Sequence, residues 1–269
     1  SFACYGVAAG GAYLLFWRFG RNIWRHKRIQ ADARRVPEPG REFKLSLLTI
    51  AMFSVMLGLV RLLTDLGWTR MYADIGTYGI GYFVLSIVVI ALVHDTSYYW
   101  AHRFMHSRLL FKHVHRIHHQ FTNPTPFASY AFHPLEGMIE ILIIGVLLFV
   151  MPIHAYALAL YILILTLLNV VSHLGYEFYP AWISRWFITS THHNLHHSRF
   201  TGHYMLYLNL WDRVMGSNYA DYPSLCARFA AASGVRAPQP AKGRGVSHSR
   251  EPSRTRTPRR WPYAVRRWR

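Results

Sequence analysis

His102 and His106 stand four residues apart, and His115, His118 and His119 follow at i, i+3 and i+4. The same i, i+3, i+4 spacing returns at His193, His196 and His197. On a helix each set places its imidazoles on one side, a turn apart. Neutral imidazole is a good ligand for iron, zinc, copper and nickel. Eight such nitrogens exceed the four ligands of a closed zinc site, so they suit two ions rather than one. His173, in "NVVSHLGYEF", is a plausible ninth ligand. Metal-bound imidazoles usually donate their second N–H to a carboxylate or carbonyl. Asp95, Glu136, Glu177 and Asp212 are the acids placed to accept it, and Glu177, four after His173, is close enough in sequence to reach a metal itself.

The remaining histidines read otherwise. His94 precedes the first pair inside an apolar run and reads as structural or as a neighbour of the ligands. His113 falls off the face of His115 and reads as solvated. His133, before Pro134, reads as a loop residue that packs or lines a pocket. His154 belongs to a turn at the far end of the apolar segments. His26, His203 and His248 have no partner at ligand spacing. His192 could replace His193, but the spacing favours His193.

Apolar blocks must position these groups. "LSLLTIAMFSVMLGLV", "YFVLSIVVIALV" and a 33-residue block holding Glu140 as its single charge point to an all-α integral membrane protein with four to five apolar helical segments. A soluble helical protein with buried core helices is the weaker reading at these lengths. Residues 45–64 and 79–100 cross in opposite directions, and 138–151 and 155–172 form a pair about "MPIH". The first arm of that pair spans about 21 Å, short of a ~30 Å hydrocarbon core, so it fits a hairpin that dips in and returns. His102, His173 and the His192–His197 group then share one membrane face. The basic stretch 18–44 and Arg103, Arg108, Lys112 and Arg116 make that face cytoplasmic, as basic loops collect there.

Net charge is +18, from 30 Lys and Arg against 12 Asp and Glu. Eleven of the basic residues lie from Gly234 on, in a Pro-, Ser- and Arg-rich stretch, so the charge does not describe a nucleic-acid-binding face. Three regions are expected: 1–78 with the first spans and a basic loop, 79–222 with the histidines, and a basic tail, 223–269, without stable structure that is solvated or rests on anionic headgroups. The opening "SFACYGVAAGGAYLLFW" has no basic stretch before its apolar run; it reads as a span whose beginning is missing rather than as a signal peptide. Cys4 and Cys226 give no disulfide framework or thiolate site. No glycine-rich nucleotide fingerprint and no C-x-x-C occurs, so electrons for redox chemistry must come from a partner.

"DTSYYWAHRFMH", "HVHRIHH", "PTPFASYAFHPLEG", "SHLGYEF", "STHHNLHH" and "LNLWDRVMG" together resemble the fatty acid hydroxylase/sterol desaturase superfamily, in order from about Ile80 to Ser217. "PTPFASYAFHPLEG" is most similar to the sterol C5-desaturase branch. The resemblance implies a membrane-bound, non-haem di-iron oxidoreductase that uses O2 to desaturate or hydroxylate a lipid drawn from the bilayer. Its ligands would be His102, His106, His115, His118, His119, His193, His196 and His197, with His173 as the ninth. It would hold two Fe ions, for which zinc can substitute during purification. It would take electrons from a cytochrome b5-like or ferredoxin-like donor. It would sit in the endoplasmic reticulum if eukaryotic or the inner membrane if bacterial. A sterol is the expected substrate; a fatty acyl or sphingoid chain to be hydroxylated is the alternative within the superfamily. A membrane metal-binding protein without redox chemistry is the rival from another class, but carriers place ionisable residues within their spans, and here the histidines cap them. One departure from the pattern is "TGHYMLY", where Met205 replaces an expected glycine.

Overall fold

The computed structural model describes residues 2–30 and 36–231. Most of the basic tail, with its expected lack of structure and its lipid contact, lies outside the described residues. Helix α1 (Phe2–Ala12) runs on through wider turns at Tyr13–Phe19. It buries Tyr5 and Ala9, one turn apart, and the Tyr5 hydroxyl donates to the Phe127 carbonyl at 2.9 Å.

Helix α2 (Pro39–Asp65) starts with proline in its first turn, where no N–H is needed. It buries Glu42, Ser46, Thr49 and Ile50, a stripe of helical period. A two-residue strand, β1 (Met71–Tyr72), leads to α3 (Gly79–Met105). The inward face of α3 advances by fours through Ser86, Ile90, His94, Tyr98 and His102. Helix α4 (Arg108–Leu110) is a single turn. Helix α5 (Pro134–Val150) and α6 (Ala155–Ser172) flank β2 (Ile153–His154), which pairs in parallel with β1.

Among the described residues, α2, α3 and α6 are long and apolar enough to cross a membrane. Their outward faces expose Leu48, Val55, Leu62, Val84, Val88, Leu163 and Leu167. A hydrocarbon solvent accounts for such faces; water does not. The β1–β2 pair and the Tyr82 hydroxyl, which donates to the Pro152 carbonyl at 3.0 Å, tie one end of the bundle together. At the other end α3 and α6 finish while α2 and α5 begin. The Glu42 carboxylate there accepts the Thr125 N–H at 3.3 Å and the Thr125 hydroxyl.

Beyond that end lies a polar cap. It holds α7 (Ser190–Arg199), α8 (Leu210–Val214) and α9 (Tyr222–Ala231). Helix α9 corrects the expected boundary of the tail, because residues 223–231 are helical. Tyr222, Cys226 and Phe229 are buried at i, i+4 and i+7, the first two against Leu195. The short apolar stride is diluted by alanine, which hides it in composition. Cys4 and Cys226 are both free.

Candidate metal centre

The end of α3 delivers His102 and His106, and the end of α6 delivers His173. His115 lies on a wide helical turn, Phe111–His115, and His118 and His119 on a tight turn, His118–Gln120. These are not one regular helix, as the spacing suggested; wide turns of this kind are frequent at functional sites. Helix α7 carries the last group, and every residue from Ser190 to His197 is buried. A polar helix buried on all sides is costly unless its groups are satisfied.

All nine expected histidines converge, in two groups. His102, His106, His115, His119 and His196 form one, and His118, His173, His193 and His197 the other. Within each group the ligand nitrogens lie within 4.8 Å of one another. The expected two ions match two groups, and the division cuts across the boxes. His115 and His119 serve one group while His118 serves the other; His193 and His197 serve one while His196 serves the other. Neighbouring residues on a helix diverge by about 100°, so a box with adjacent or i+3 members reaches two centres at once.

The nitrogen geometry is that of ligands around an ion. His102 Nε2 and His115 Nε2 are 3.0 Å apart, as are His119 and His115, His193 and His173, and His197 and His193. Imidazoles about 2.1 Å from one ion and at right angles would be separated by about 3.0 Å. The opposite nitrogens are held by acceptors. His102 Nδ1 donates to the Tyr204 carbonyl at 2.9 Å, His173 Nδ1 to Asn169 at 2.9 Å and His196 Nδ1 to Gly202 at 2.7 Å. His115 Nδ1 donates to Glu136 Oε1 at 2.8 Å. Each bond fixes the proton on Nδ1 and leaves the Nε2 lone pair facing inward. His196 Nε2 is buried with no partner. Lone pairs facing each other at these distances repel, and a cation between them resolves that. The donor set therefore fits two imidazole-bound metal ions.

Burial, then repulsion from neighbouring imidazoles, pushes His115, His118, His119, His193, His196 and His197 well below the usual histidine range. Burial brings His173 down to about 4. All are therefore neutral, the form that ligates.

Of the four expected acids, Glu136 alone touches a clustered histidine. Asp95 and Glu177 bind backbone, and Asp212 binds backbone, the Ser217 hydroxyl and His192, so none of the three reaches a clustered imidazole as expected. Asp95 accepts the N–H groups of Leu206, Tyr207 and Leu208 at 3.3, 2.9 and 3.2 Å. Asp212 accepts those of Tyr204 and Met205 at 2.9 and 3.0 Å and the Ser217 hydroxyl at 2.7 Å. Burial alone would raise Asp212, but these bonds and His192, 3.2 Å away, hold it well below the carboxylate range. The two acids thus fix a loop whose Tyr204 carbonyl orients His102. Glu177 accepts the N–H groups of Tyr179 and Thr191, both at 3.0 Å, so it sits at the start of α7 rather than at a metal. Met205 is buried and its backbone is ordinary; the left-handed positions nearby are Phe200 and His203.

The other histidines have distinct tasks. His133 and His154 cap α5 and α6, accepting N–H from Leu135 and Tyr156. His113 is exposed. His94 Nδ1 pairs with the Tyr161 hydroxyl at 2.6 Å. His192 stacks on His203 at 3.8 Å and belongs to neither group. Sequence reasoning missed the orienting carbonyls of Tyr204, Gly202 and Asn169, which every residue type possesses and no motif marks.

The fatty acid hydroxylase family model matches residues 87–217, which contain every clustered histidine. Rat lathosterol oxidase is 34% identical over 77% of this chain and 71% of its own. Human lathosterol oxidase is 32% identical over the same shares. A delta(7)-sterol 5(6)-desaturase of Gibberella zeae is 27% identical over 82% of this chain and 66% of its own. No solved structure matches. With the histidine pattern, the apolar helices and these relatives in agreement, the chain belongs to the fatty acid hydroxylase superfamily of O2-dependent di-iron lipid desaturases and hydroxylases.

Proposed function

We propose that the chain desaturates a sterol or a similarly rigid membrane lipid. His102, His106, His115, His119 and His196 would hold one iron, and His118, His173, His193 and His197 the other. The observation that carries this reading is the pair of adjoining histidine groups at the end of apolar helices, in a chain whose animal and fungal relatives both bear sterol-oxidising names. Two bound irons would supply, with O2 and external electrons, the oxidising power to break an unactivated C–H bond. The chain's own residues hold the imidazole protons on Nδ1, keep the centre dry and admit a lipid from the side. The histidine-bearing end would face the cytoplasm of the endoplasmic reticulum or bacterial inner membrane. It is rimmed by basic residues such as Arg41, Arg103, Arg108 and Lys112, which suit an acidic electron donor of the cytochrome b5 or ferredoxin kind.

The test supplies a Δ7 sterol, O2 and a competent donor to the purified chain, with products read by mass spectrometry. A new 5,6 double bond is expected. An unchanged sterol beside a hydroxylated acyl or sphingoid chain would replace this reading with hydroxylation, which the family's own description favours.

A further inference from the structure

Glu140 is the one charge in the apolar block, and nothing in the metal centre uses it. The outward face of α5 runs through Leu135, Met138, Leu142, Val146 and Phe149, all exposed. The inward face runs through Glu136, Gly137, Leu147 and Leu148. Glu140, one turn after Glu136, belongs to the inward face and is only partly buried. Among the described residues its carboxyl has neither a hydrogen bond nor an ion pair. A carboxyl in hydrocarbon with no partner is expensive and marks a site awaiting one.

The surroundings say what that partner is. Tyr98 lies on α3, which packs against α5, and its phenol feels the Glu140 charge, as do those of Tyr130, Tyr161 and Tyr207. Tyr130 is bonded to Thr166 at 2.9 Å, and Tyr161 to His94 at 2.6 Å and to Tyr207 at 3.0 Å. Among the described residues the Tyr98 hydroxyl makes no hydrogen bond, and His94 Nε2, on a residue 1% exposed, makes none either. Among the described residues no lysine or arginine pairs with Glu140, so an anionic headgroup would meet an acid with no cation to offset it. A neutral hydroxyl can donate to the carboxyl and accept from a phenol. Tyr98 is one turn before His102, with ring centroids 5.1 Å apart, and Glu140 is one turn after Glu136, which holds His115. Both sit about 6 Å below the histidine layer. In an alcohol, a carbon two C–C bonds from the carbinol carbon lies about 4 Å from the hydroxyl oxygen, so it would cover most of the distance to the histidine layer.

We infer that Glu140 and Tyr98 form a binding site for the hydroxyl group of a sterol, holding it one helical turn from the histidine clusters so that a ring carbon near the carbinol is presented to them. This rests on the sterol reading above.

The test compares binding of a Δ7 sterol and its 3-O-methyl ether to the purified chain, by displacement of a fluorescent sterol in detergent micelles. Wild type should prefer the free alcohol about tenfold, the order of one hydrogen bond. Glu140→Leu should bind both ligands alike, and Glu140→Gln, which still offers an amide oxygen, should keep part of the preference. Metal content and melting temperature of both variants should match wild type, which separates recognition from folding. Glu140→Leu with an intact preference would overturn the hydroxyl site and leave the sterol reading standing. Equal loss of both ligands in Glu140→Leu and Glu140→Gln would overturn it as well, by assigning Glu140 a structural task. Wild type that binds neither ligand would overturn the sterol reading and the site with it.

Discussion

A clustered imidazole here does two jobs with its two nitrogens: Nδ1 is pinned by a carbonyl or carboxylate, and Nε2 is left for a ligand. His196 shows both, with Nδ1 on Gly202 and Nε2 buried without a partner. Replacing His196 with alanine should abolish turnover. His154→Ala should leave turnover intact and cost about 1 kcal/mol of stability, the worth of a helix cap; equal loss in both would deny the clusters their role. The same burial has a pH consequence. The folded chain keeps these imidazoles neutral while the unfolded chain protonates them below about pH 6.5. The unfolded state therefore binds more protons in acid, and stability of the metal-free protein should fall as pH drops from about 6.5 towards 4, where His173 begins to titrate. Melting temperatures across that range read it directly; a flat profile would mean the histidines are not buried together. Helical spacing made eight of the nine histidines legible in the sequence, and His173 was a candidate without a spaced partner. Their division into two groups was not legible, because it depends on the wide turn at Phe111–His115 and on which side of α7 meets which helix end.

Between the residue and the bundle stands the loop from Gly202 to Leu208, held by Asp95 from α3 and Asp212 from α8. It supplies the carbonyls that orient His102 and His196. Asp95→Ala would strand the N–H groups of Leu206, Tyr207 and Leu208, each costing about 1–3 kcal/mol when buried unsatisfied. We expect a lowered melting temperature together with weaker metal retention, as the Tyr204 carbonyl shifts. Unchanged metal retention in a destabilised variant would show that the loop does not orient the ligands. The acids were legible as residues near the histidines, but not their backbone partners, because a carboxylate's partner is set by the fold around it. The long apolar helices α2, α3 and α6 were readable from hydropathy. The caps of α5 and α6 were not, since histidine is an unusual cap and its tasks look alike in sequence; nor was α9, whose stride is short.

Across the whole molecule, one end of the helical bundle is polar and histidine-rich, and the other is closed by the β1–β2 pair. If basic residues set the orientation, thiols introduced at the two ends should answer oppositely to an impermeant reagent outside the cell. Thr77→Cys should label and Ser198→Cys should not; the reverse pattern would invert the topology. Everything proposed for this chain depends on its holding two ions in two separate histidine groups. Metal quantification with X-ray absorption on the iron-loaded protein tests that most directly. The expected result is two ions per chain in shells of imidazole nitrogen at about 2.1 Å, with His173→Ala losing one ion and His106→Ala the other. A single ion at saturation, or two that survive both substitutions with their nitrogen shells unchanged, would contradict it.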